Sequence, residues 1–410
     1  MNEHRCLDPA LLTILSKKNL LPEHLFNAVI VLKQSSSIND ISQLCKLQKC
    51  DKPKDWLPHI QMFTGSFCKQ TLFSIADHPD VLAISHDYEV RALLNIATPA
   101  VDATAVRVNF GLTGAGVTIA VVDTGVFPHP DLTQPTNRII NFKDFVNFRT
   151  TPYDDNGHGT HITGDAASNG QSSGGRYIGP APQARIVGVK VLNRTGTGTL
   201  TQILNGINYV ISVRTTFNIR IMNLSLGSIP TTSYLQDPIA TACRRAWIRG
   251  IFVVTAAGDT GPSGTINTPG YDPLLITAGA INDQRTITRA DDVPALYTSV
   301  KPTVDGGIKP DINVPGTSLV SLLAPNSFLA QSFPRNIVPP NYFILSGTSV
   351  ASGLLSGMAA QVLQAYPNFT PDILKIRYIE TSTYFANDVP GYAIQTKILR
   401  LQADIVRLGG

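Results

Sequence analysis

Five short runs of almost unbroken apolar residues constrain this chain more than any other feature. They are VTIAVVDTG (117–125), RIVGVKVL (185–192), IRIMNLSLG (219–227), GIFVVTAAG (250–258) and LLITAGAI (274–281). A strand with one wet face alternates polar and apolar residues. A strand without alternation is buried on both faces, the condition of a parallel sheet covered by helices. Helical stretches lie between the runs, at 199–214 and 235–249 among others. The expected fold is α/β, a doubly wound, mostly parallel sheet with helices on both faces. In such sheets functional groups gather beyond the carboxyl ends of the strands. Asp123, Ser225 and Asp259 fall there.

The first 95 residues follow another rhythm. AVIVLKQ (28–34), LPHIQMF (57–63) and VLAIS (81–85) read as strands, and 37–48 and 67–76 as helices. Together they predict a small α+β unit on its own sheet. The small-residue-rich segment 95–110 lacks clear periodicity and reads as a linker.

Several function classes are disfavoured. A net charge of +4 over 410 residues, with no dense Lys/Arg stripe, gives no reason for a nucleic-acid partner. No run approaches the roughly 18–20 apolar residues that span a bilayer, so no membrane role is expected. The start, MNEHRCLDPALL, lacks a basic opening followed by a continuous apolar run, so no secretory leader is read there. The five cysteines, Cys6, Cys45, Cys50, Cys68 and Cys243, are odd in number and irregularly spaced. They suit reduced thiols and a cytoplasmic location better than a disulfide framework or a zinc site.

Three motifs carry chemistry. AVVDTG puts Asp123 at the end of a buried strand, where an unpaired carboxylate is costly. DDNGHGTHITG sets His158 between two glycines and places His161 one turn on. Two histidines three apart on a helix also suit a metal, but no Glu stands between them as in HExxH. SGTSVASGLLSG, with Ser346 and Ser349, leads into an apolar helix and puts Ser349 at its amino end. A serine there either caps the helix or acts as a nucleophile whose oxyanion faces free N–H groups. Taken together, carboxylate, imidazole and hydroxyl are the parts needed to activate a serine toward an amide.

On these motifs the chain resembles the subtilisin family of serine proteases. AVVDTGVFPHPDL, NGHGTHITG and SGTSVASG are similar to the family's aspartate, histidine and serine motifs. MNLSLG is similar to its substrate-binding strand, VVTAAGDTG to the strand ending at its oxyanion hole, and KPDINVPG to a further recurrent segment. The resemblance implies a serine endopeptidase that forms an acyl-enzyme on Ser349, with His158 as general acid and base and Asp123 as its orienter. Ser225, Leu226 and Gly227 would pair with the substrate backbone, and Ala256, Ala257 and Gly258 would line S1. Peptides or proteins would be the substrates, and the chemistry would need no cofactor. HPDVLAISHDYEVRALL (78–94) resembles the end of the family's inhibitory propeptide. The implied layout is a ferredoxin-like propeptide at 1–94, a linker at 95–111 and a catalytic domain at 112–410. The propeptide would act as an intramolecular inhibitor, with self-cleavage near Leu94–Asn95 and an apolar P1 preference.

The chain also departs from that pattern. Asp259 stands where the family has its oxyanion-hole asparagine, and an ionised carboxylate accepts hydrogen bonds where a donor is needed. A weakly active or non-catalytic peptide-binding protein is therefore the alternative reading. An esterase is a third, disfavoured because the GxSxG elbow is missing around Ser349. Gly353 stands where the family has proline, and YTSVKP (297–302) replaces a Ser-Ser-Arg-Gly-Pro run. Loop 168–179 has no Asp or Glu, so a structural calcium ion is unsupported there.

Overall fold

The computed structural model describes residues 94–384 except 231, 288–290 and 301. It also describes 397–399 and, nearer the amino end, 7, 11, 15, 16, 24–32, 51–57 and 62–86. Residue packing divides the chain into two units, Met1–Val90 and Arg91–Gly410.

The first unit holds strands β1 (Leu25–Leu32), β2 (Lys52–Leu57), β3 (Met62–Cys68) and β4 (Val81–His86), with helix α1 (Lys69–Ala76). The sheet order is β2-β3-β1-β4, antiparallel throughout. Phe26, Ala28, Ile30 and Leu32 recur every second residue on β1 and are buried, so they share one face. That face packs with Leu72 and Ile75 of α1. The run 57–63, expected to be one strand, is instead divided. Leu57 ends β2, Met62 begins β3, and the two pair as antiparallel neighbours. Pro58 lacks the N–H that a continuous strand would donate. The helix expected at 37–48 lies outside the described residues.

In the second unit the segment read as a linker is folded. It forms helices α2 (Leu94–Ala100) and α3 (Ala103–Phe110). Ala97, Val101 and Ala103 are fully buried in the main core, and Val106 packs on Leu112. Alanines let these helices lie close against the core, but they leave no large apolar stripe to read from sequence.

The main sheet contains all five apolar runs. Its members are β5 (Thr118–Asp123), β6 (Ile139–Asp144), β7 (Arg185–Lys190), β8 (Ile219–Leu224), β9 (Phe252–Ala256), β10 (Ile276–Asn282), β11 (Val293–Pro294) and β12 (Ile312–Pro315). A small sheet follows, made of β13 (Leu319–Leu322), β14 (Ile337–Val338) and β15 (Tyr342–Leu345). Then β16 (Ser382–Tyr384) and β17 (Lys397–Leu399) complete the main sheet. Its order is β16-β17-β12-β10-β9-β8-β5-β7-β6, with β11 on β10. Every pairing from β6 to β17 is parallel, and β11 and β16 are antiparallel additions. Edge strand β6 shows mixed burial, which is why it is not among the apolar runs.

Helices α4 (His158–Ala167), α5 (Leu200–Ser212), α6 (Pro238–Ile248), α7 (Thr348–Ala365) and α8 (Pro371–Glu380) cover the sheet. α7 runs across β8, β9, β10 and β12 and packs on α4, whereas α5 and α6 pack on each other. The α4–α7 approach depends on missing side chains. A Cβ on Gly353 would stand 2.9 Å from Ile162 O and 3.1 Å from Asp165 Cβ, and one on Gly357 would stand 2.9 Å from Ala166 Cα. Gly353→Ala should therefore lower stability by roughly 1–3 kcal/mol, because the nearest atom is backbone and cannot turn aside. Thermal unfolding checks this, and an unchanged midpoint would mean that the helices separate without cost.

Candidate active site

The site is assembled by the end of β5 and the amino ends of α4 and α7. Asp123 is the last residue of β5 and is fully buried. Its Oδ1 accepts from Thr124 N (2.6 Å) and lies 2.8 Å from His158 Nδ1. Its Oδ2 is buried and has no hydrogen-bond partner among the described residues. His158 begins α4 and is 24% exposed, so one edge of the ring reaches the cleft. Gly159 permits this approach, because a Cβ there would meet Asp123 Oδ1 at 3.1 Å and collide with Gly125 O. Burial disfavours the imidazolium. The charge and hydrogen bond of Asp123, with the charges of Asp154 and Asp165, outweigh it and raise the His158 pKa above its ordinary value.

Asp154 organises the turn before α4. Its Oδ1 accepts from Asn156 N, Gly157 N and Thr124 Oγ1, and its Oδ2 from Thr160 N and Thr160 Oγ1. Buried Lys190 ties the neighbouring loops together. Its ammonium donates to Thr124 O, Leu192 O and Asp155 Oδ1. His161 is fully buried, with Nδ1 2.9 Å from Asp165 Oδ2 and Nε2 3.1 Å from Phe343 O. Both ring nitrogens are engaged, so His161 and His158 do not form a metal pair. Among the described residues no group of three His, Cys, Asp or Glu is arranged to hold a metal. Asp131, beside loop 168–179, accepts instead from Ser168 Oγ, Ser172 N and Tyr342 Oη.

Ser349 lies in the first turn of α7. Its Oγ donates to Ser225 O at 3.3 Å, and it makes no hydrogen bond to His158 in this arrangement. A buried polar network lies beneath it. Ser352 Oγ donates to Ser349 O (2.7 Å), Ser225 Oγ bonds Asn223 Oδ1 and Ser352 Oγ, and Asn223 Nδ2 donates to Ser352 and Ser356. This network joins β8 to α7 and fixes the backbone that carries the hydroxyl.

Asp259 faces the amino end of α7. Its Oδ1 accepts from Thr348 N and Thr348 Oγ1, both at 2.9 Å. Asp259 is open to the cleft, yet partial desolvation by the surrounding protein pushes its pKa above the usual carboxylate range, although the Thr348 bonds and the His158 charge pull it down. Gly347 leaves room for it, since a Cβ there would lie 3.0 Å from Asp259 Oδ2.

Two adjoining cavities share the backbone of Ser225, Leu226 and Gly227. The larger, about 710 Å³, reaches from His158 over Leu192, Leu200, Ile203, Leu226 and Ile239. The smaller, about 260 Å³, contains Ser349, Ser225, Leu226, Gly227, Ala256 and Gly258. Ala257, expected to line it, is fully buried among Ala240, Ile266 and Tyr271 instead. The side chain after Ala256 on a strand turns to the opposite face. Asn267 also lines the smaller cavity, and no motif in the sequence pointed to it.

The whole arrangement is matched by known proteins. The model described as "Subtilase family" matches residues 114–397. Serine protease AprX of Bacillus subtilis (strain 168) is 48% identical over 294 residues, covering 70% of this chain and 66% of that protein. Subtilisin E of the same strain is 34% identical over 282 residues, covering 68% and 63%. The chain thus spans just under two thirds of the length of these relatives. Among solved structures, a cold-adapted subtilisin-like serine proteinase is 25% identical with a TM-score of 0.54, covering 70% of this chain and 89% of that one. The S41 psychrophilic protease is 29% identical with the same TM-score, covering 66% and 84%.

Proposed function

The chain belongs to the subtilase family, and from that premise we propose that it is a serine endopeptidase acting through Asp123, His158 and Ser349. The Asp123–His158 bond of 2.8 Å carries this reading, with His158 and Ser349 lining two cavities that adjoin at Ser225, Leu226 and Gly227. With the Nδ1 proton donated to Asp123, the neutral ring keeps Nε2 as its base. The Ser349 hydroxyl turns from Ser225 O to His158, gives up its proton and attacks the peptide carbonyl. The imidazolium then protonates the leaving amine, and water repeats the sequence on the acyl-enzyme. The developing oxyanion faces Ser349 N–H and Asp259. Ser225, Leu226 and Gly227 offer the backbone for an added substrate strand. Because the base must be neutral, activity should rise with pH through the raised His158 pKa.

The first unit acts as propeptide and inhibitor in this proposal, with self-cleavage near Leu94–Asn95. The purified chain should shorten on incubation, and amino-terminal sequencing locates the cut. Ser349→Ala should remain full length. The same cut in that variant, in a protease-free preparation, would show that the cleavage is not self-catalysed. A cytoplasmic site of action is supported by Cys68 and Cys243, both unpaired and buried. Cell fractionation that finds the mature enzyme only outside intact cells would defeat it. A weakly active protein is the second reading, favoured by the acceptor role of Asp259 toward Thr348. Stoichiometric labelling of Ser349 by a fluorophosphonate separates a working nucleophile from an inert one.

A further inference from the structure

We propose that Asp165 is a positioning residue: with His161 it holds one shared proton, and that proton fastens the helix that begins at His158 to the strand that leads into Ser349. The catalytic role rests on the protease reading above, whereas the shared proton does not. His161 lies one turn beyond His158 on α4, and the side chains of His161 and Asp165 are fully buried. His161 Nε2 stands 3.1 Å from Phe343 O, and Nδ1 stands 2.9 Å from Asp165 Oδ2. Phe343 belongs to β15, which ends at Leu345, just before the turn that carries Ser349. Ser321 Oγ of β13 adds a second tie, donating to His161 O at 2.7 Å.

These partners fix a proton count. A backbone carbonyl only accepts, so Nε2 carries a hydrogen to meet Phe343 O. Nδ1 then meets Asp165 either as a second N–H facing a carboxylate or as a lone pair facing a carboxyl O–H. Both arrangements hold one proton more than a neutral histidine beside an ionised aspartate. Without that proton, either Nε2 turns a lone pair toward Phe343 O or Nδ1 turns one toward the carboxylate, and two buried acceptors are left in contact. Neighbouring histidines make no such demand. His158 gives its Nδ1 hydrogen to Asp123, and its ring reaches the cleft. Buried His129 accepts from Asp131 N at Nδ1 and faces Asn341 O with Nε2, which a neutral ring satisfies. Burial raises the Asp165 pKa above the usual carboxylate range, against the pull of His161, Ser321 and His158, in keeping with a retained proton. Other groups around the pair are engaged elsewhere. α7, packed along α4, carries no titratable residue. Tyr342 of β15 gives its hydroxyl to Asp131 of the turn Pro130–Thr133, and Asp123 of β5 is taken up by His158.

Nitrogen-15 NMR on the Ser349→Ala chain should find His161 Nε2 protonated wherever the chain stays folded. Asp165→Asn supplies an amide N–H to Nδ1, so it keeps the geometry without the shared proton, and its kcat on a peptide substrate should stay close to the wild-type value. Asp165→Leu leaves Nδ1 unmet and should lower kcat by about a hundred-fold with KM nearly unchanged, the scale of a misplacement of about 1 Å. Rates are counted per site titrated by a fluorophosphonate. The wild-type thermal midpoint should fall as pH rises through the raised Asp165 pKa, because the folded chain holds a proton that the unfolded chain has released. In Asp165→Asn that fall should be shallower. A His161 Nε2 without hydrogen, or equal pH slopes in wild type and Asp165→Asn, would overturn the shared proton. A loss of kcat in Asp165→Asn as large as in Asp165→Leu, or none in either, would overturn the positioning role. If Asp165→Leu does not fold, the asparagine variant, the NMR signal and the pH slopes still decide. A wild type that never titrates with the fluorophosphonate sinks the protease reading and the catalytic role with it, while NMR and unfolding still decide the proton.

Discussion

Ser349→Ala should lower kcat on a peptide substrate by on the order of 10⁶-fold, while KM and thermal stability stay nearly constant. That magnitude is the one known for the corresponding serine of subtilisin, a relative of this chain. The structure gives reasons for a clean loss. The hydroxyl makes only a 3.3 Å bond to Ser225 O, so deleting it disturbs little packing. The network that holds the Ser349 carbonyl runs through Ser352, Ser225 and Asn223 and survives the change. Binding and the remaining oxyanion donors should leave a small residual rate. Single-turnover and steady-state assays on wild type and variant read the difference. A fall smaller than about ten-fold would place the nucleophile elsewhere.

Asp259→Asn should raise kcat by up to about a hundred-fold, the reverse of losing a side-chain oxyanion donor. On the mechanism proposed above, turnover needs Asp259 protonated, so that it donates, and His158 neutral, so that it accepts. Both pKa values are raised, but from a carboxylate origin in one case and an imidazole origin in the other. As pH rises, Asp259 ionises and its donor is lost, whereas His158 becomes active only higher up. The doubly competent form is therefore scarce where the two demands overlap, and kcat should trace a low bell. A bound peptide would cover Asp259, which is open to the cleft, and would push its pKa further upward. The asparagine variant has no ionisation, so its profile should keep the rising limb of His158 and lose the falling limb. Measuring kcat against pH on one peptide decides the matter. An equal or lower kcat in Asp259→Asn throughout would show that the carboxylate itself serves the site, through its bonds to Thr348 or through the substrate.

The main sheet was legible because its strands lack alternation, a signal independent of neighbours. Edge strand β6, half exposed along its length, carried no such signal. Asp123 and His158 were legible as motifs because strand end, turn glycine and helix start are consecutive in sequence. Asn267 was not, since the cavity residues it meets, Gly258 and Gly227, lie apart from it along the chain. Lys190 was hidden inside an apolar run, and only the fold reveals that its ammonium meets Thr124, Leu192 and Asp155. Ala257 leaves the pocket because consecutive residues of an extended chain point to opposite faces, so adjacency in sequence does not carry over to the cavity wall.

The family match begins at residue 114, but the folded body begins earlier. Gln361 Nε2 donates to Ala103 O and Leu112 O, and Gln364 Oε1 accepts from the N–H groups of Thr113, Gly114 and Ala115. Both glutamines belong to the helix that presents Ser349 at its opposite end. Recombination between relatives at the family boundary would thus separate a helix from the segment it was selected with. Chimeras joined near residue 112 should inherit a foreign clasp at the far end of the helix that carries Ser349. Those joined ahead of residue 94 would carry helix and clasp together and should lose less stability than those joined near residue 112.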